Sequence, residues 1–358
     1  MVNNTIIVGG GLFGLTTAIV LAEKGINVTV LEKNYDVLKE ASLVNQNRIH
    51  YGYHYPRSIE TGRESIKGMD AFKEYYSDCI NDTFIKYYAI AKHNTHVNAK
   101  EFAEFARELN IPLEKAWPGE EILNRAFIEE CWKAYEPAFD YNVLRENILS
   151  RIKKLRNIRI LRNAQITNIE TKSDQSIIVT LHNDYKVFGK NLINAAYSGL
   201  GDVLKMVYKE NLNAKFQLIV MPILKSKQPL DAVGVTIMDG PFCSILPRGF
   251  VKDEFILYHV KESVIEESIG HQKPTWNVID GNVENNIIEA SMNYFPILNE
   301  MKWVDSWITT RMILPNQEID DARPTLVISH QENIHSVFSG KVTTCVSAAR
   351  EILAKIIH

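Results

Sequence analysis

The chain is short of the features that would place it in several large classes. Its four cysteines, Cys79, Cys131, Cys243 and Cys345, are scattered through 358 residues with no paired spacing. That removes a disulfide framework and a zinc or redox motif, and predicts reduced thiols in a cytoplasmic protein. No apolar run approaches the roughly 20 residues that a membrane-spanning helix needs. The net charge is only −3, so nothing electrostatic argues for a nucleic-acid partner. Internal repeats and low-complexity tracts are missing. There is no nucleophile elbow, no HExxH and no paired-carboxylate motif, so hydrolysis has no positive support and no metal is expected. The first residues pass directly into an apolar run, which predicts no signal or transit peptide.

What is present is ordinary in bulk and unusual at its start. Hydrophobic residues make up 46% and charged residues 23%, in a length that suits two domains. Ile6, Ile7 and Val8 read as a short buried strand. Gly9, Gly11 and Gly14 follow, and Leu15, Ala18, Ile19 and Ala22 recur at helical spacing. Gly25 to Asn27 ends that helix, and Val28, Val30 and Leu31 form a second strand closed by Glu32. This is the dinucleotide fingerprint. Gly9 makes the tight turn, Gly11 lets main chain approach a pyrophosphate, and Gly14 lets helix pack on strand. The helix N-terminus points its free amides at the phosphates. Glu32 accepts hydrogen bonds from ribose hydroxyls and disfavours a 2′-phosphate, which argues against NADP. A βαβ unit opening the chain, with its second half far downstream, points to FAD.

Further along, helices are expected at 58–79, 98–109, 119–134, 142–154, 284–301 and 342–356. A strand is expected at 84–92. A β-meander is expected over 158–161, 164–171, 176–181 and 185–188, turning at Asn183 and Asp184. The strand 192–196 ends in small residues that suit a cofactor. A second, mostly antiparallel set is expected at 216–224, 232–238, 243–247 and 254–260, with later strands at 307–314, 325–329 and 335–339.

Three blocks of this pattern resemble the D-amino-acid oxidase and glycerol-3-phosphate dehydrogenase superfamily of FAD enzymes. They are the N-terminal fingerprint with Glu32; the run Phe139 to Leu144 with the helix, meander and Asn194, Ala195 and Ala196 behind it; and Asp321 to Thr325 followed by Ser339 to Thr344. The family usually has a third small residue after the middle pair, where this chain has Tyr197. The resemblance implies an α/β fold: a Rossmann-like FAD-binding domain with an inserted β-meander, plus a discontinuous α+β substrate domain with a mostly antiparallel sheet. The segments 1–83, 143–205 and 312–358 fall to the first domain, and 84–142 and 206–311 to the second.

The expected cofactor contacts are Gly9, Gly11, Leu12, Phe13, Gly14, Glu32 and Lys33 at the start. Asn47, Arg48 and Ile49 follow, then Ala195 and Ala196. Gly340, Lys341, Val342, Thr343 and Thr344 open the last helix, whose dipole and cation stabilise negative charge on reduced flavin. The stretch Arg48 to Arg57 holds two histidines, three tyrosines and two arginines in ten residues. In the superfamily it lies along flavin and substrate. His50, His54 and Tyr258 are the candidate catalytic residues. Arg57, Arg248, His259 and Arg311 are the candidate substrate-binding residues, the arginines as two-pronged anion ligands. The implied activity is oxidation of a C–N or C–O bond in a small polar substrate, acidic or sugar-like, by hydride transfer to FAD held non-covalently. The electron acceptor is open. A non-redox flavoenzyme such as a sugar mutase, and an NAD-dependent oxidoreductase, stand as alternatives.

Overall fold

Strand Asn4–Val8 is buried along its whole length, and its consecutive apolar residues Ile6, Ile7 and Val8 suit a strand covered on both faces. In this computed structural model, which describes residues 4–208, 213–228, 230, 232–277, 281–313 and 324–357, it lies in the middle of a six-stranded sheet. The strand order is Leu326–Gln331, Ile334–Phe338, Asn191–Asn194, Asn4–Val8, Asn27–Leu31, Ile158–Leu161. Every pairing is parallel except the hairpin at the Leu326–Gln331 edge. Helix Leu12–Glu23 is buried over most of its surface, because helix Cys345–Ile357 lies against it and the sheet covers its other side. Helices Ile59–Tyr76 and Tyr141–Lys154 complete that layer through Met69, Phe72, Leu144 and Ile148. A three-stranded meander, Ile166–Thr171, Ile177–Leu181 and Lys186–Gly189, covers Ile6, Val8 and Leu192 from the other face.

A nine-stranded sheet forms the other half. Its strands are Leu113–Lys115, Ile128–Ala134, Ile85–Ala91, Val233–Met238, Cys243–Pro247, Glu254–His259, Ala214–Ser226, Val264–Gly270 and Met301–Ile313. All its pairings are antiparallel except that of Ile85–Ala91 with Val233–Met238. Two 13-residue strands, Ala214–Ser226 and Met301–Ile313, run side by side and carry this sheet up to the first one.

Several elements differ from expectation. The helix expected at 119–134 is a short 3-10 turn, Arg125–Phe127, and then strand Ile128–Ala134. That strand fills the gap between Ile85–Ala91 and Leu113–Lys115, so pairing on both edges decides its conformation. Strand Ile158–Leu161 is not part of the meander. It follows a helix and joins Asn27–Leu31 in parallel, as a crossover connection does. The helix expected at 284–301 stops at Met292, and Pro296, which has no amide to donate, starts a 3-10 turn. The last long strand begins at Met301 rather than Trp307, and residue 314 lies outside the described residues. Edge strand Val264–Gly270 was not anticipated. Among the described residues no helix is long and apolar enough to cross a membrane.

Candidate active site

A cavity of about 720 Å³ lies where the two sheets meet. One end is built by the fingerprint. Gly9 adopts φ +106°, and a Cβ there would stand 2.5 Å from the Ala195 carbonyl oxygen. A Cβ on Gly14 would stand 2.0 Å from the Gly9 carbonyl oxygen, so helix and strand meet at a distance that only glycine allows. Glu32 is buried, and its carboxylate accepts from the Gly10 amide at 2.7 Å and the Asn34 amide at 2.8 Å. Ser42 accepts from the Leu12 amide at 2.9 Å and so completes the helix N-terminus from a neighbouring loop. Of the expected cofactor residues, Gly9, Gly11, Leu12, Phe13, Glu32 and Lys33 line this end. Arg48, Ala195 and Ala196 line it further in, and Gly340, Lys341 and Val342 close it.

Five of the expected cofactor residues stand behind the wall instead. Gly14 packs on Gly9, and Ile49 is sealed in the core with Leu12 and Leu15. Asn47, at φ +52°, ties the chain to Phe139 by accepting the Phe139 amide on its carbonyl. Thr343 and Thr344 are buried against Gly68 of helix Ile59–Tyr76. Thr344 still shapes the wall: its hydroxyl pairs with that of Thr325 at 2.6 Å, and Thr325 accepts the Gly340 amide at 2.9 Å. Asp321 to Arg323 of the same block lie outside the described residues. Tyr197, where a small residue is usual, adopts φ +50°, lines the cavity, and accepts the Met312 amide on its hydroxyl at 3.1 Å.

The other end is built from the large sheet. Thr309 and Arg311 alternate onto one face of strand Met301–Ile313, opposite Ile219 and Gln217. Arg311 donates from Nε to the Gln217 Oε1 at 2.8 Å and from Nη1 to the Tyr258 hydroxyl at 3.1 Å. Its Nη2 has no hydrogen-bond partner among the described residues, and the buried Thr309 hydroxyl likewise has none. His50, Tyr258, Thr309 and Arg311 all line the cavity, together with the apolar Val44, Ile219 and Met221. Burial pushes the His50 imidazole below its ordinary range, against the opposing pull of Glu136, while Arg48 and Lys341 push it further down.

Four expected substrate-side residues do not line the cavity. Arg57 pairs with Asp239 at 2.6 Å. Arg248 pairs with Glu254 at 2.8 Å and lies over the Trp307 ring. His259 is buried, and its Nδ1 accepts the amides of Lys261 and Glu262 at 3.2 Å each, which fixes a turn. His54 stands one layer back, its Nδ1 3.0 Å from Arg48 Nη1 and its ring 5.4 Å from that of His50. Sequence reading missed Ser42, Thr309 and the buried carboxylate of Glu136; only the alternation of Thr309 with Arg311 was there to be noticed.

A family model described as FAD dependent oxidoreductase (DAO) matches residues 4–328. The FAD-dependent monooxygenase FPY4 of Fusarium mangiferae is 23% identical over 98% of this chain and 90% of its own length. Glycine oxidase from Geobacillus kaustophilus superposes with a TM-score of 0.75 at 12% identity, covering 99% of this chain and 95% of that one. The L-α-glycerophosphate oxidase of Mycoplasma pneumoniae, solved with FAD bound, superposes with a TM-score of 0.77 at 16% identity, covering 99% of this chain and 94% of that one.

Proposed function

Because the chain belongs to the DAO family of FAD-dependent oxidoreductases, we propose that it oxidises a C–N or C–O bond in a small anionic substrate. Bound FAD supplies the acceptor for a hydride equivalent. The residues fit it: the glycine cradle, the helix N-terminus at Gly11, the carboxylate of Glu32 and the run Gly340 to Val342 all border the same cavity.

The observation that carries the substrate reading is the arginine between the two strands. Arg311 is held by Gln217 and Tyr258, so its guanidinium arrives in a fixed plane with one arm to spare. A carboxylate or phosphate is the ligand such a fork suits. Arg48 and Lys341 line the same cavity and add positive charge. Anchored at its anionic end, a small substrate presents its oxidisable carbon to the cofactor side, and the apolar Val44, Ile219 and Met221 exclude water around it. Burial lowers the His50 imidazole below its ordinary range, which favours the neutral form and supports reading it as the acceptor of the proton from a substrate nitrogen or oxygen. Glycine and glycerophosphate, the substrates in the names of two structural neighbours, each carry an anionic group, a carboxylate in one and a phosphate in the other.

Anaerobic mixing of the purified protein with amino acids, hydroxy acids, glycerophosphate and neutral sugars tests this reading. Loss of flavin colour with a member that carries a carboxylate or phosphate is the expected result. Bleaching by the neutral sugars alone, or turnover only after chemical pre-reduction, would overturn it.

A further inference from the structure

Glu136 lies just beyond strand Ile128–Ala134, and its side chain has no exposed surface. Around it stand Arg48 Nε at 3.5 Å, His50 Nδ1 at 3.5 Å and Lys86 Nζ at 3.8 Å. The Tyr88 hydroxyl donates to its Oε2 at 2.6 Å. Lys86 is itself fully buried, donates to the Thr236 hydroxyl, and lies 4.8 Å from the centre of the Tyr88 ring. An ion cluster this deep is costly unless each member is closely matched, so a role besides stability is the better reason for it. Only Arg48 and His50 of this group reach the cavity. Glu136, Lys86 and Tyr88 hold them from the large sheet.

We propose that Glu136 is a positioning residue for His50: its carboxylate, pinned by Arg48, Lys86 and Tyr88, holds the imidazole with Nδ1 turned toward it, so that Nε2 presents its lone pair to the cavity. A carboxylate beside Nδ1 favours the tautomer that carries its proton there. At 3.5 Å the contact is an electrostatic one, and neither the His50 Nδ1 nor the Glu136 Oε1 has a hydrogen-bond partner among the described residues. The pair therefore orients the ring without fixing it by a short bond. The value of this arrangement to the reaction rests on the reading of His50 as proton acceptor; the tautomer itself does not. The other groups facing His50 are Arg48 and His54 on its own segment, the Tyr55 ring, and Lys341 ahead of the last helix. Arg48 and Lys341 both oppose a charged imidazole, which leaves Glu136 as the group that favours one.

The test uses the FAD-loaded protein labelled with 15N-histidine, with His50→Gln assigning one ring among ten histidines. Nitrogen shifts report which ring atom carries the proton, and their pH dependence gives the titration midpoint. In wild type His50 is expected as the Nδ1–H tautomer. Glu136→Gln is expected to lower its midpoint by about one pH unit, since a nearby negative charge has gone. The apolar pair Glu136→Leu with Lys86→Met removes one charge of each sign together and is expected to abolish the tautomer preference. An Nε2–H tautomer in wild type overturns the proposal, and so does an unchanged midpoint in Glu136→Gln. The wild-type spectrum alone decides the tautomer, so a variant that fails to fold does not rescue the idea. A colourless wild-type protein with an Nδ1–H His50 would defeat the flavin reading and leave this one standing.

Discussion

Arg311 and Tyr258 meet through a 3.1 Å hydrogen bond from guanidinium Nη1 to the phenolic oxygen, although they come from strands that do not pair with each other. Strand Ala214–Ser226 pairs with both and brings them to one cavity wall. Their contributions to turnover should separate. Arg311→Met removes a charge-assisted contact worth about 3 kcal/mol and is expected to lower kcat/KM about 10²-fold. Tyr258→Phe leaves the substrate's own contact intact and removes one bond that steadies the guanidinium, worth about 1.5 kcal/mol because the donor is charged, roughly a tenfold loss. Stopped-flow flavin reduction measures both; an Arg311→Met enzyme with unaltered kcat/KM would remove the anion-binding role.

The cofactor end is predicted to tolerate almost no added volume. Gly14→Ala places a methyl 2.0 Å from a backbone oxygen, and backbone cannot step aside as a flexible side chain can. Overpacking of this kind costs about 1–3 kcal/mol and forces the glycine turn away from the pyrophosphate position. The expected product is a less stable protein purified with little FAD. Glu32→Gln should keep the fold and weaken FAD, a loss read directly by equilibrium dialysis. Full flavin occupancy in Gly14→Ala would show that the turn is not the cradle.

Acid should destabilise the protein from two directions of one sign. His50, His259 and His335 are all held below the ordinary imidazole value of 6.5, in each case chiefly by burial. The unfolded chain therefore takes up protons first as pH falls, so stability drops from about pH 6.5 downward. Glu136 is held below the ordinary carboxylate value of 4.5 because Arg48, His50 and Lys86 outweigh its burial. Its contribution is present above that value and is lost as pH falls below it. Melting temperature should decline steadily from pH 7 to pH 4, and His259→Asn, whose side-chain oxygen can still accept the two turn amides, should flatten the upper part of that decline. A melting temperature that holds or rises between pH 7 and pH 5 contradicts this.

Thiol chemistry offers a separate check. All four cysteines are free and buried, and burial pushes the thiols of Cys131, Cys243 and Cys345 up to about 12 and that of Cys79 higher still. A thiol reagent should find none of them in the native protein and all four after denaturation, with no change on adding a reductant first. Fast labelling of one site in native protein would mean that part of the core opens readily.

The βαβ start and the closing helix were legible because their signals are local: glycines at fixed offsets, apolar residues at helical spacing, an acid at the end of the second strand. Strand Ile128–Ala134 was misread because its residues do not alternate and its two neighbours lie elsewhere in the chain. Arg311 and Tyr258 could be picked out singly, as polar residues near strand ends, but nothing in either segment states that they touch. Arg248 and His259 carried the same kind of signal and went instead to an ion pair and a turn. Glu136 was invisible for a stronger reason. A lone acid after a strand is ordinary until Arg48, His50, Lys86 and Tyr88 are folded around it.

The Tyr197 phenol joins the turn after strand Asn191–Asn194 to Met312 on the long antiparallel one. At a second place, Ile49 and Asn47 share backbone hydrogen bonds with Pro137 and Phe139. The two halves are thus stitched at two separate places, and any motion that parted them would have to break both seams.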